Sequence, residues 1–360
     1  MDGNVGRLQS RAAKLALRHN SDPSHRCLPV SDLQQALKLH RAGDLDGAEA
    51  AYRALLAGNP DDADALHLLG VVLHKRGDAA QAEESIRDAL MRDPECAQFH
   101  LSLGGVLMQR GRDEEAHAEF ERALELDPNA PEAHALLGFV HARSGDLSAA
   151  EERFRIGRRA EADDPLLLLG LGNLYLARDQ PDNALKFLAR AAEQKSDDAS
   201  IQFSLGRAFF EQGNFAFADK AFENALRLDP AMSRARLFRG RVCVREKRLA
   251  DAQAIYEDLL ARKQQEFGAL AGLGDVARHR GHVLRALKFY RRALAIEPNN
   301  PGAANACAWC LEQLGDLSGA AEFLSGALQR APDADWVRTP LAGLLERLGR
   351  GEEAARVRAG

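Results

Sequence analysis

No part of this 360-residue chain is an apolar run of the kind that directs secretion or crosses a membrane, and no later segment is of low complexity. Export through a signal peptide and membrane insertion are therefore not expected, and the chain reads as cytoplasmic. Charge of one sign is missing too. The 48 Lys and Arg are set against 53 Asp and Glu, a net of -5, which gives no global drive toward nucleic acid or an anionic membrane. Cysteine is sparse and odd in number. Cys27, Cys96, Cys243, Cys307 and Cys310 fall mostly in helical pattern, which argues against a disulfide framework and for a reducing compartment. Motifs of known chemistry are absent as well: there is no Gly-x-Ser-x-Gly, Gly-x-x-x-x-Gly-Lys, His-Glu-x-x-His or dinucleotide fingerprint. No enzyme centre, cofactor or metal site is expected. Cys307-Ala-Trp-Cys310 has redox spacing but lies inside a helix with no strand before it, so packing explains it better. Glu114, Glu115 and Glu119 read as a solvated helix face.

What is present is a repeat. The stretch 97–130, AQFHLSLGGVLMQRGRDEEAHAEFERALELDPNA, reads as helix, turn, helix, stop. Leu101, Leu103, Leu107 and Met108 follow a helical period that Gly111-Arg112 interrupts, and Ala116, Phe120, Ala123 and Leu124 follow a second that Asp127-Pro128 ends. Sliding the frame by 34 residues reproduces the pattern along the chain. The position of Ala116 is alanine throughout, at Ala48, Ala82, Ala150, Ala184, Ala218, Ala252, Ala286, Ala320 and Ala354. That of Gly104 is Gly70, Gly138, Gly172, Gly206, Gly240 and Gly274, with Ala36, Ala308 and Ala342 at the ends. Antiparallel helices cross closely only where neither carries bulk, so these columns mark crossing points. The Phe120 column, with Tyr52, Ile86, Phe154, Leu188, Phe222, Tyr256, Tyr290 and Leu324, fills the space beside them.

This small, large and proline pattern resembles the tetratricopeptide repeat family, whose unit is a 34-residue helix-turn-helix. The likeness covers residues 29–360 as about ten units without insertion, the last truncated, after a leader at 1–28. It implies an all-α, right-handed superhelical solenoid whose first helices line a concave surface. In this family the surface takes residues in register with Gln98, Leu101, Gly105, Met108 and Gln109, which share one helix face. Here those columns supply Leu101, Met108, Phe139, Leu169, Leu176, Phe203, Phe210 and Leu237 as an apolar face, with Asn173, Arg207, Arg241 and Arg245 beside them and Lys75, Arg143 and Arg234 at the border. An exposed apolar patch marks an interaction site. The competing reading is that tight winding buries these residues against neighbouring first helices. Two better-known binding modes of the family do not fit: Asn173, Arg207 and Arg241 share one column without the paired Lys of a carboxylate clamp, and the Ser102 column carries no asparagine ladder.

Elsewhere the pattern bends. Ala162, Ser196 and Gln264 replace the stop proline, Asp179 and Lys247 replace the turn glycine, and Pro181 falls at the start of a second helix, where proline is tolerated. Thr339-Pro340 predicts an N-cap and first-position proline, hence a late start for the helix there. His100 and His134 share a column and read as core or half-buried rings, whereas His40, His67 and His74 fall on the face expected to be open. Arg7, Arg11, Lys14 and Arg18 suggest a short basic leader helix packing on the first repeat. The expected function is a non-catalytic scaffold or adaptor that holds a partner protein's segment, apolar and acidic, in its groove. The alternative is an accessory subunit presenting substrates to a separate transferase or an envelope-assembly machine.

Overall fold

The computed structural model describes residues 30–161 and 163–359, so the expected leader helix, Cys27 and Ala162 lie outside the described residues. The chain divides into two compact units, residues 1–162 and 163–360. The first holds α1 (Val30–Arg41), α2 (Leu45–Gly58), α3 (Ala63–Arg76), α4 (Ala79–Arg92), α5 (Ala97–Gln109), α6 (Asp113–Leu126), α7 (Pro131–Arg143) and α8 (Leu147–Ala160). The second holds α9 (Pro165–Ala177), α10 (Pro181–Gln194), α11 (Ala199–Glu211), α12 (Phe215–Leu228), α13 (Ser233–Arg245), α14 (Leu249–Ala261), α15 (Glu266–His279), α16 (Val283–Ile296), α17 (Pro301–Gln313), α18 (Leu317–Arg330), α19 (Asp335–Arg347) and α20 (Gly351–Ala359). Among the described residues every regular element is an α-helix. Odd-numbered helices are first helices and even-numbered ones second helices. Within each unit, each helix packs on its hairpin partner and on the next in sequence, and first helices also touch the first helix one repeat on. This is the tandem helix-turn-helix solenoid expected from the sequence.

The hairpins cross where the small columns predict. Nine of the ten column alanines, Ala48 to Ala320, are completely buried, and Ala354 is 1% exposed. Each column glycine faces the large residue sixteen positions later. A Cβ added to Gly104 would stand 2.7 Å from Phe120 Cδ1, and one on Gly206 would stand 2.6 Å from Phe222 Cε1, both inside van der Waals contact. The hairpins α1–α2, α17–α18 and α19–α20, which carry alanine at this place, are packed less closely. Glycine here is thus a packing requirement of a close crossing.

Turns repeat with equal fidelity. Gly77 (φ 88°) and Gly145 (φ 86°) end their first helices in the left-handed region, and the following Asp78 and Asp146 cap the next helix by accepting from Gln81 N–H and Ala149 N–H. Where glycine is replaced, the backbone keeps its shape: Asp179 (φ 57°) and Lys247 (φ 61°) adopt the same strained conformation. Pro181 opens α10 as expected. The late start predicted from Thr339-Pro340 is wrong. Helix α19 begins at Asp335 and carries Pro340 inside it, because Ala334, Val337 and Leu341 are buried and their packing outweighs the single main-chain bond that proline removes.

A contact the residue pattern did not announce ties repeats together. His100, His134, Gln202, Arg236 and Arg338 share one column, and each donates from its side chain to the carbonyl six residues earlier, at Pro94, Pro128, Ser196, Pro230 and Pro332 (2.8–3.2 Å). A planar donor at this place holds the linker between repeats. His100 also meets Glu119 at 2.6 Å, and this hydrogen bond, helped by the Pro94 carbonyl, raises its pKa against the effect of burial. Three guanidiniums, of Arg87, Arg110 and Arg112, converge on the buried Glu83, and they lower its pKa although burial alone would raise it. His40 and His67 depart from expectation. Both are buried, His67 stacking 4.6 Å from Phe99 and bonding Ser102 Oγ at 2.8 Å, because the next first helix covers them.

Candidate functional site

In the second unit, α11 and α13 lie side by side, and their facing stripes interlock. On α11, Phe203, Arg207 and Phe210 recur at helical spacing; on α13, Arg234, Phe238, Arg241 and Arg245 do the same. Phe238 stands edge-on to Phe203 (5.6 Å) and Phe210 (5.8 Å). The Arg234 guanidinium lies 4.6 Å from the Phe203 ring centre, that of Arg241 4.7 Å from Phe238, and that of Arg245 6.0 Å from Phe210. Cation and ring alternate across the two helices, each ring face attracting the charge above it.

These arginines differ from their neighbours. On the same helix, Arg239 pairs with Asp219 at 2.7 Å and Arg236 reaches Asp258 at 3.8 Å, while Arg248 just beyond pairs with Asp219 and Glu246. Among the described residues Arg207, Arg234, Arg241 and Arg245 form no ion pair. Burial makes the half-buried Arg207 less basic than usual; Glu211 opposes this, while the charges of Arg234 and Arg241 add to it. The face thus holds a cluster of cations with little counter-charge of its own.

The remaining residues expected to line the groove separate by burial. Leu101 in the first unit and Leu169, Leu176, Phe203 and Leu237 in the second are each at most 8% exposed. Their expected openness is not what the structure has: neighbouring first helices close over them, as where Gly268 of α15 sits against the Leu237 side chain. Phe203 belongs to the core with Phe222, Ala218 and Val242. Phe139 is half-buried, edge-on to Phe154 at 5.4 Å, and Met108 is half-buried with its carbonyl held by Arg143. Both belong to the first unit. Border residues Lys75 and Arg143 are engaged, with His40 and with Asp113. Asn173 is half-buried with its amide oxygen turned inward, unpartnered. On the α11–α13 face Phe210, Phe238 and Arg207 are half-buried, and Arg234, Arg241 and Arg245 are exposed. Sequence reasoning passed over Phe238, although an aromatic three residues before Arg241 on a first helix was the available signal.

Comparison with known proteins agrees with this architecture. A family model described as the cilia and flagella-associated protein 70 C-terminal domain matches residues 11–236, and tetratricopeptide repeat models match 209–273, 277–336 and 248–301. The chain belongs to the tetratricopeptide repeat family. Among relatives of this repeat protein, Cellulose synthase operon protein C of Xanthomonas axonopodis pv. citri (strain 306) is 28% identical over 228 residues, 59% of this chain. The matched stretch spans only 15% of that relative's length. Among solved structures, that of the APC/C hetero-tetramer Cut9-Hcn1 shares the fold with a TM-score of 0.54 at 19% identity, covering 87% of this chain and 55% of that one. Pseudomonas aeruginosa PilF has a TM-score of 0.48 at 22% identity, over 62% of this chain and 97% of that one.

Proposed function

We propose that this tetratricopeptide repeat protein is a non-catalytic scaffold or adaptor that docks a partner protein's segment on the α11–α13 face. Proteins of the family generally mediate protein–protein interactions, which supports the coarse reading. The finer one rests on a single observation: three arginines without ion pairs, Arg234, Arg241 and Arg245, standing over the rings of Phe203, Phe238 and Phe210. A segment carrying large apolar residues and acidic ones suits that face, its apolar groups meeting Phe210 and Phe238 and its carboxylates the guanidiniums. Nucleic acid is not the proposed partner, since the chain as a whole is acidic. Among the described residues no helix is long and apolar enough to cross a membrane. A cytoplasmic setting is part of the proposal, supported by the odd number of cysteines, of which Cys243, Cys307 and Cys310 are buried and free. Burial pushes the Cys307 thiol up to about 12 and Cys310 up as well, which favours packing over redox work for that pair.

The likeness to Cellulose synthase operon protein C favours a second reading, an accessory subunit that presents substrate to a separate synthase or transferase. One experiment addresses both. Capture from lysate with the full chain, followed by mass spectrometry, is repeated with Arg241→Glu and with Arg245→Glu. Loss of a partner from both variants, with unchanged circular dichroism, is the expected result. Undiminished capture by both refutes docking on this face, and a captured synthase whose activity depends on the chain favours the second reading.

A further inference from the structure

Within the docking face, the arrangement of charge says more than that a partner is acidic. Carboxylates elsewhere in the chain are matched to guanidiniums closely: Glu83 alone takes three, and Asp219 takes Arg239 and Arg248. Against that background, Arg207 is half-buried, and the like charges of Arg234 and Arg241 act on it. Only Glu211, on the same helix as Arg207, acts in the opposite sense. Charge of one sign left uncompensated in a partly desolvated place is satisfied best by a ligand group that carries more than one negative charge and several acceptor oxygens. A phosphorylated side chain carries about -1.5 to -2 and three strong acceptors, where a carboxylate carries one charge and two oxygens. Guanidiniums form forked, paired hydrogen bonds with such a group.

Their positions are already set. Arg234 and Arg241 are held 4.6 and 4.7 Å over the faces of Phe203 and Phe238, so less side-chain freedom remains to be lost on binding. Phe210 and Phe238, edge to face at 5.8 Å and half-buried, provide an apolar bed on the same two helices.

We propose that the α11–α13 face is a phosphate-reading site: the partner segment presents a phosphorylated side chain to Arg207, Arg234 and Arg241 while an adjacent apolar side chain rests on Phe210 and Phe238. This rests on the docking role proposed above. It makes capture depend on the phosphorylation state of the partner, so that the scaffold engages only after a kinase has acted.

The test uses the full chain and synthetic peptide arrays in three matched sets, with phosphoserine, serine or glutamate fixed at the centre and all other positions randomised. Phosphoserine peptides should bind at least ten-fold more tightly than serine peptides, with glutamate falling between. Arg207→Gln and Arg241→Gln, checked for intact fold by circular dichroism, should each reduce that preference several-fold, weakening phosphoserine peptides more than serine peptides. Equal binding of the phosphoserine and glutamate sets would overturn phosphate reading and leave acidic docking standing. Binding of none of the sets, beside capture of a lysate partner that survives Arg241→Glu, would overturn both. Vesicles containing phosphatidate form the last arm; binding to them with no preference among the peptides would assign the anion to a lipid headgroup and likewise overturn the proposal.

Discussion

Adjacent glycines on one helix should respond to the same substitution with opposite signs. Gly104 and Gly105 both lie in α5, and replacing either by alanine removes the glycine penalty for helix, a gain of about 1 kcal/mol. For Gly105 nothing opposes it. A Cβ there meets no atom within 4 Å, so Gly105→Ala should stabilise by about 0.5–1 kcal/mol. At Gly104 the new methyl would stand 2.7 and 2.9 Å from Phe120 Cδ1 and Cζ. That ring is completely buried and has nowhere to turn, so the hairpin must open toward the looser packing of α1–α2, which carries alanine at this place. Overpacking of this kind costs about 1–3 kcal/mol, so that after the helix gain a net loss of up to about 2 kcal/mol remains. Repeat arrays need not unfold in one step, so urea midpoints followed by circular dichroism should be paired with hydrogen exchange of the α5 and α6 amides. In a Phe120→Ala background the obstruction is gone, and Gly104→Ala should turn mildly stabilising. If Gly104→Ala stabilises the parent chain as much as Gly105→Ala does, the close crossing is not what selects glycine.

Other outcomes follow from the same structure. Lys247→Gly should raise stability by about 0.5–1 kcal/mol, because Lys247 is held at φ 61° where glycine is unstrained; a loss in thermal melting would refute this. Glu83→Gln should cost about 2 kcal/mol, below the figure for a fully buried pair because its arginine partners reach solvent, read as a fall in urea midpoint. Since the folded pKa of Glu83 is lowered, that difference from the parent should be present above the ordinary carboxylate pKa and shrink as pH falls through the folded value. His100 runs the other way: its folded pKa is raised, so the advantage of the parent over His100→Gln should be full below about pH 6.5 and fade as pH rises through the folded value. Phe203→Asp should unfold α11–α13 by placing a carboxylate in the Phe222 core, whereas Arg245→Glu should leave the fold intact, both followed by circular dichroism.

By itself the sequence determined the local and periodic features. Helical spacing of leucine and alanine, left-handed glycine turns, aspartate caps and proline stops are properties of a few consecutive residues, and their recurrence every 34 positions fixed the hairpins and their crossing points. The same columns put Arg207, Arg241 and Arg245 on first helices, where the structure has them. Burial on that face was decided only by tertiary structure, since it depends on how closely one first helix approaches the next. Leu169, Leu176, Phe203 and Leu237 were covered, His67 was sealed under its neighbour, and Phe210 and Phe238 were left half-buried. Pairing was decided in the same way. Arg239 and Arg241 are two residues apart on α13 and look alike in sequence, yet only Arg239 points to a carboxylate, because the helix turns the other side chain toward the open face.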